Sequence, residues 1–399
     1  MRKILLLSCF ISINIALLAQ YQVGFKVLTL RDAPRYRNII TNVYYPASAN
    51  GTDAPIINDG TKFPVVSFGH GFVMSSLAYQ WLAQLLASNG YIVGFPASEE
   101  GLPNHAAFGK DELYVARALR NFGDSSNSFL YQKTNGYTAI GGHSMGGGAS
   151  FLAANGANDI TTLFNFAAAE TFPLYGIIAS DAAKNITIPA LVFSGSKDCV
   201  APAVTNSQKM YQNLKSEYKV FANIIGGSHC QFADPNKTVC EVGELAACFG
   251  TTYIAAVQQQ NRIAALLLPW LDFWLKRDCT AKTTFYNNIT ANLNQIDTLH
   301  SKPLDYCSTV NITTSVFNKI AKNLTIFPNP SNGIFTIDWK LLNATVTLNL
   351  FNINGELLDT KNDFQTSTSI LDYTYLSKGI YTLQIIYNNE NYLTKLVIN

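Results

Sequence analysis

The run Gly142-His143-Ser144-Met145-Gly146-Gly147-Gly148 constrains the fold of this chain more than any other segment. It follows an apolar stretch, Tyr137 to Gly141, suited to a strand. It precedes small residues, Ala149 to Ala154, suited to a helix. A strand that turns into a helix through Gly-x-Ser-x-Gly holds its serine on a sharp, strained turn. Neighbouring backbone must come close there, and a Cβ at Gly142 or Gly146 would collide with it. The serine oxygen then projects from the sheet at a helix N-terminus, where N–H groups can meet an anion. A glycine-rich turn after a strand can also hold a phosphate. No lysine follows in the Gly-x-x-x-x-Gly-Lys spacing that such a loop uses.

The surrounding pattern supplies a sheet for this turn to stand on. Tyr21 to Asp32 and Asn38 to Tyr45 read as two early strands, and Pro64 to Phe68 as a short buried one. Leu77, Trp81, Leu82, Leu85 and Leu86 recur at helical spacing, and Tyr91 to Phe95 is the next strand. Leu113, Ala116, Leu119 and Phe122 mark a second helix. Strands follow at Leu163 to Ala168, Ala190 to Ser194 and Val220 to Ile225, with Met210 and Leu214 on a helix between the last two. Ile263, Leu266, Leu267, Trp270, Leu271 and Trp274 form a final amphipathic helix. Strands alternating with helices predict an α/β fold, a mostly parallel sheet with helices on both faces.

A serine on such a turn needs a base and an acid, and the α/β-hydrolase order is Ser, then Asp or Glu, then His. The chain has five histidines, and only His229 and His300 follow Ser144 and a later acid. His300 lies in a polar segment and follows no strand. His229 sits in Gly226-Gly227-Ser228-His229, directly after the strand Val220 to Ile225, where a loop can deliver an imidazole to the sheet edge. Asp198 follows Ala190 to Ser194 in the same way and is placed to orient that imidazole. Asp181 and Asp234 are rivals with weaker placement. Two N–H donors are needed for the developing oxyanion. The expected ones are Met145, after the serine, and the loop Gly69-His70-Gly71-Phe72. His70 reads as a loop residue bonded to backbone.

Composition bounds the setting. The 399 residues are 48% apolar, enough for one large core and a smaller one. Residues 1–19 read as a secretory signal: Arg2 and Lys3, an apolar stretch from Ile4 to Leu18, and Ala19 before the cleavage point. That stretch is too short and too interrupted to span a membrane comfortably, so no stable insertion is expected. Losing Arg2 and Lys3 takes the formal charge from +2 to 0, which argues against nucleic acid as a partner.

Six cysteines follow the signal: Cys199, Cys230, Cys240, Cys248, Cys279 and Cys307. An even number in an exported chain favours disulfides. Without Cys-x-x-Cys or matching histidine spacing, no metal is expected. Cys279 and Cys307 bracket a polar segment and are expected to pair, which would contribute about 3 kcal/mol. The other four surround the His229 loop, and their connectivity is open.

The character changes after Cys307. Residues 308–322 read as a linker. From residue 323 the period is two: Val346, Leu348 and Leu350 alternate with polar residues, Asn354-Gly355 signals a hairpin, and Tyr381, Leu383 and Ile385 mark another strand. A small all-β sandwich is expected over 323–399, after a catalytic domain over 20–307.

The run around Ser144 resembles the elbow of bacterial cutinases and polyester (PET) hydrolases, related to dienelactone-hydrolase-like groups. Val65 to Phe72 and Leu85 to Tyr91 resemble their strand, oxyanion loop and helix. Ser194 to Pro202 resembles their acid loop, and Gly226 to Cys230 their histidine loop. The match spans roughly residues 60–275. It implies that Ser144, Asp198 and His229 are catalytic, that the Phe72 and Met145 amides form the oxyanion hole, and that Phe72, His143 and Phe172 touch substrate. A departure accompanies it. The polyester hydrolases carry a tryptophan where this chain has Ala168-Ala169-Glu170-Thr171-Phe172, and Glu170 is expected to make that wall polar. Cys199 and Cys230 each adjoin a member of the triad, and a bridge between them would staple the two loops.

The C-terminal module resembles a type IX secretion (Por-type) sorting domain, on Leu324 to Gly333, Asn354-Gly355, Gly379-Ile380-Tyr381 and Lys395 to Ile398. A carbohydrate- or adhesion-type sandwich is the rival. The resemblances imply a secreted or cell-surface serine hydrolase of carboxylic esters from a Gram-negative bacterium, using no cofactor. Its partners would be the type IX machinery and a lipid, short-chain ester or polyester. The alternatives are an acylglycerol lipase or peptidase of the same fold, and a non-catalytic surface-binding protein on a hydrolase scaffold.

Overall fold

A computed structural model describes residues 21–101, 104–171, 176–235, 238–304, 324–339, 346–352, 357–362, 368–387 and 390–399. The signal and linker expected over 1–19 and 308–322 lie outside them. The chain divides into two compact units between Leu304 and Asp305.

Among its described residues the first unit is built on ten strands: β1 (Gln22–Asp32), β2 (Arg37–Ala47), β3 (Gly51–Thr52), β4 (Phe63–Gly69), β5 (Ile92–Pro96), β6 (Thr134–His143), β7 (Thr162–Phe166), β8 (Ala190–Gly195), β9 (Lys219–Ile224) and β10 (Ile296–His300). Their order is β10-β9-β8-β7-β6-β4-β5-β2-β1-β3. The six from β9 to β5 are parallel, and β2 and β10 join them antiparallel at either end. This is the α/β-hydrolase arrangement, a mostly parallel sheet with helices. Eight helices accompany it among the described residues: α1 (Gln80–Ser88), α2 (His105–Asn121), α3 (Met145–Ala154), α4 (Ala179–Ala182), α5 (Ser207–Asn213), α6 (Thr238–Ala247), α7 (Ala256–Leu275) and α8 (Thr280–Ala291).

Strand alternation explains why both faces of the sheet are covered. Ile140, Leu163, Val192 and Phe221 share a buried cluster with Phe151 of α3 and Met210 of α5. Residues of the other parity point the opposite way. Phe166 stacks with Trp81 of α1, and Thr162 accepts the Trp270 indole N–H of α7 at 2.9 Å. Every residue of β4, β5, β7 and β8 is buried, which accounts for their unbroken apolar runs.

Five elements were not expected from the sequence: the two-residue β3, the single-turn α4 and three larger ones. His300 ends an edge strand, β10, rather than lying in irregular chain. α8 occupies the polar segment after Cys279, burying Ala281, Phe285 and Ile289 four residues apart. α6 follows the His229 loop.

The second unit is all-β and antiparallel. A three-stranded sheet joins residues 324–327, 334–339 and 368–372, and a four-stranded one joins 346–351, 357–362, 379–387 and 390–398. Phe335 and Ile337 of the first share one buried cluster with Leu348, Leu350, Leu383 and Leu396 of the second. The hairpin expected at Asn354-Gly355 lies outside the described residues, but the strands that flank it pair antiparallel.

Candidate active site

Ser144 lies between the end of β6 and the start of α3 with φ 53° and ψ −115°, a strained conformation for any residue with a Cβ. The glycines around it are required by contact. A Cβ on Gly142 would stand 2.3 Å from the Gly146 carbonyl carbon, and one on Gly146 would stand 2.4 Å from backbone of Gly69. The turn is therefore wedged against the end of β4, as the sequence predicts. Ser144 occupies the N-cap position of α3, yet its side chain caps nothing. A serine there ordinarily gives its oxygen to the helix. Here the hydroxyl lies 2.9 Å from His229 Nε2 instead.

His229 follows β9 and Asp198 follows β8, each on a short loop at the carboxyl edge of the sheet. The imidazole Nδ1–H donates to Asp198 Oδ2 at 2.7 Å. The other carboxylate oxygen accepts the N–H groups of Val200 at 2.9 Å and Ala201 at 2.8 Å. Asp198 is thus held by three donors, which fixes its plane and that of the ring it faces. Ser144, Asp198 and His229 are all buried. The rivals are occupied elsewhere. Asp234 caps α1 by accepting the Gln80 and Trp81 N–H groups, and Asp181 pairs with Lys184 at the surface. His300 is four strands from β6, roughly 19 Å at the usual strand spacing.

Among the described residues, neither the Met145 nor the Phe72 amide N–H has a backbone acceptor. Free N–H groups flanking a serine are what an oxyanion site needs. The Phe72 side chain is exposed. His70 bridges the Gly71 and Ser98 carbonyls, in line with a structural role.

His143 departs from its expected contact with substrate. Its ring is fully buried and both nitrogens are engaged. Nε2–H donates to the His229 carbonyl at 3.1 Å, so Nδ1 is the acceptor, and the Tyr79 hydroxyl donates to it at 2.9 Å. Burial, with His229 beside it, holds His143 well below the ordinary imidazole pKa and keeps the ring neutral. Tyr79 in turn accepts the Gly71 N–H at 2.9 Å. One chain of hydrogen bonds therefore links the loop at Gly71, the serine turn and the histidine loop. Phe172 lies outside the described residues. Glu170 turns its carboxylate onto the backbone N–H groups of Thr171 and Ser180, with Lys209 Nζ 3.6 Å away.

Two further residues hold the histidine loop and were missed in the sequence. Gln259 of α7 accepts the Ser228 N–H and donates to the Ser228 carbonyl. Glu244 of α6 accepts the His229 N–H at 2.6 Å and the Cys230 N–H at 3.2 Å. No local motif marks either, because each acts through a loop brought to it by the fold.

The cysteines differ from the expected staple. Cys230 is bonded to Cys240, not to Cys199. The chain folds back after Cys230 into α6, which delivers Cys240 first. Cys199 instead packs against Cys248, donating its N–H to the Cys248 sulfur at 3.2 Å. Cys279 is disulfide-bonded, and its expected partner Cys307 lies outside the described residues.

Comparison with known proteins gives the family context. Residues 40–249 match the family described as PET hydrolase-like, and residues 325–399 the secretion system C-terminal sorting domain. Cutinase 1 of Thermobifida cellulosilytica is 23% identical over 198 residues, 49% of this chain and 68% of its own length. Cutinase of Thermobifida fusca is also 23% identical over 198 residues, 59% of its length. Cutinase est2 of Thermobifida alba is 25% identical over 206 residues, again 59% of its length.

Proposed function

Because this chain belongs to the PET hydrolase-like family, we propose that it is a secreted serine hydrolase of carboxylic esters that works through an acyl-enzyme. The observation that carries the reading is the hydrogen-bonded series from Asp198 through His229 to the Ser144 hydroxyl, 2.7 Å and 2.9 Å. Such a series serves one chemistry well. His229 Nε2 takes the Ser144 proton as the oxygen attacks the ester carbonyl. Asp198 stabilises the imidazolium and keeps its Nδ1–H pointed inward. The tetrahedral oxyanion is received by the Met145 and Phe72 N–H groups. His229 then protonates the departing alkoxide, which leaves as the alcohol. Water, deprotonated by His229, cleaves the acyl-Ser144 ester and restores the hydroxyl. No step needs a cofactor.

The unit over 20–307 carries this chemistry. The sorting domain fits handling by a type IX secretion system after an N-terminal signal, with release or display at the surface of a Gram-negative cell. Among the described residues, no helix is long and apolar enough to cross a membrane. The substrate class is an ester of low polarity: a short-chain ester, a lipid or a polyester.

Hydrolysis of nitrophenyl butyrate against a matched peptide anilide tests the reading. Ester turnover lost in Ser144→Ala, with no peptide cleavage, is the expected result. Peptide cleavage exceeding ester cleavage would reassign the enzyme to another hydrolase class.

A further inference from the structure

Helix α6 is amphipathic in reverse. A surface helix ordinarily buries its apolar stripe and exposes its polar side. On α6 the inward positions recur every four residues and none is a large hydrophobe. Cys240 is bonded to Cys230, Glu244 receives the His229 and Cys230 amides, and Cys248, just past the helix, receives the Cys199 amide. The other side carries Val239, Val242 and Leu245, followed by Phe249, and these are 56%, 62%, 65% and 89% exposed. A covalent bond and buried hydrogen bonds hold the helix down, so its apolar side chains are not used for folding.

The anchors also fix where this face lies. They are attached to the two loops that carry Asp198 and His229, so α6 borders the Ser144 site. Val200, two residues beyond Asp198, and Phe72, on the loop after β4, are exposed apolar residues as well. No lysine or arginine occurs from Thr238 to Asn261. A face that binds an anionic bilayer carries basic residues. Four side chains on so short a segment expose roughly half of the ~800 Å² per partner that a stable dimer buries. The surface is apolar, carries no basic residue, is edged by the exposed carboxylate of Glu241, and is too small for a lasting protein interface.

We propose that the outer face of α6 is the surface by which this enzyme settles on a solid, uncharged polyester, bringing the Ser144 site against the polymer. The proposal rests on the ester-hydrolase reading above and adds the physical form of the substrate. Apolar burial against the polymer supplies the attraction, and the disulfide keeps the face from folding inward.

The test uses the full-length protein and a Val242→Ser, Leu245→Ser, Phe249→Ser variant, with Phe249→Ser alone as a milder second variant outside the helix. Depletion from solution onto amorphous polyester film, nitrophenyl butyrate hydrolysis and light scattering are measured together. Adsorption should fall about tenfold in the triple variant and less in the single one, with soluble-ester kcat/KM within about twofold of the parent. Unchanged adsorption in both variants overturns the proposal. So does a parent dimer that the triple variant dissolves, or stronger variant-sensitive binding to phosphatidylcholine vesicles than to film. A parent protein that hydrolyses no soluble ester would remove the ester-hydrolase reading instead, and the adsorption result would still stand.

Discussion

The Nε2–H of His143 donates to the backbone carbonyl of His229 at 3.1 Å. The residue before the serine thereby holds the main chain of the residue that carries the base. This buried neutral imidazole therefore ties the serine turn to the histidine loop. Tyr79 extends the tie to Gly71, next to the amide of Phe72.

Tyr79→Phe removes one hydroxyl from this buried chain and strands two partners, the Gly71 N–H and His143 Nδ1. Each stranded buried group costs about 1–3 kcal/mol. Urea unfolding should show a loss of that order, with kcat for nitrophenyl butyrate falling more than KM rises. A variant as stable and as active as the parent would show that the tie is not used.

Glu244→Ala should loosen the histidine loop, because the His229 and Cys230 amides lose their acceptor. A fall in kcat of about tenfold is expected, at the scale of one lost charge-assisted hydrogen bond. Glu244→Gln keeps an acceptor oxygen and should recover most of the activity. Equal losses in both variants would mean that the carboxylate charge, not the hydrogen bond, is what matters.

Glu112 makes the protein's stability fall with pH. Its side chain is fully buried against Gly69, and neither carboxyl oxygen has a partner among the described residues. Burial, with Asp111 adjacent, raises its pKa well above the ordinary glutamate value. The folded protein therefore keeps a proton that the unfolded chain releases above about pH 4.3. Its contribution to stability is full below that pH and is lost as pH rises toward the folded pKa. Glu112→Gln removes the titration. Thermal unfolding should show the variant gaining on the parent from pH 5 to pH 8, and a constant offset across that range would contradict the assignment.

The cysteine arrangement is open to peptide mapping without reductant. Cys230 and Cys240 should appear as one linked pair, and Cys199 and Cys248 as free thiols. The Cys199 thiol is pushed up to about 11, chiefly by its hydrogen bond to Cys248 and then by desolvation. Only the thiolate reacts, so alkylation of Cys199 at pH 8 should be on the order of a hundredfold slower than for an ordinary cysteine, rising with pH. A Cys199–Cys230 peptide would overturn the pairing.

The sheet was legible because its strands are short, apolar and separated by helices with a clear stripe. The meeting of Ser144, Asp198 and His229 was legible because each follows such a strand directly. What stayed hidden depends on contacts between distant segments. α8 buries Ala281, Phe285 and Ile289 at regular spacing, but threonines and asparagines between them are weak helix formers and mask the stripe. β10 is an edge strand with only Ile296 buried, so its alternation is faint. His143 looked like a pocket residue, and nothing in the sequence marked Tyr79. Only the folded chain shows them hydrogen-bonded to each other. α6 was missed because its apolar residues do not face a core.

The central claim is that His229, held by Asp198, activates Ser144 as a nucleophile. Labelling the folded protein with a fluorophosphonate and mapping the modified peptide tests it most directly. The account predicts a single phosphonylated residue, Ser144, formed rapidly in the parent and at least about a thousandfold more slowly in His229→Ala. Labelling at another residue, or an undiminished rate without the imidazole, would contradict it.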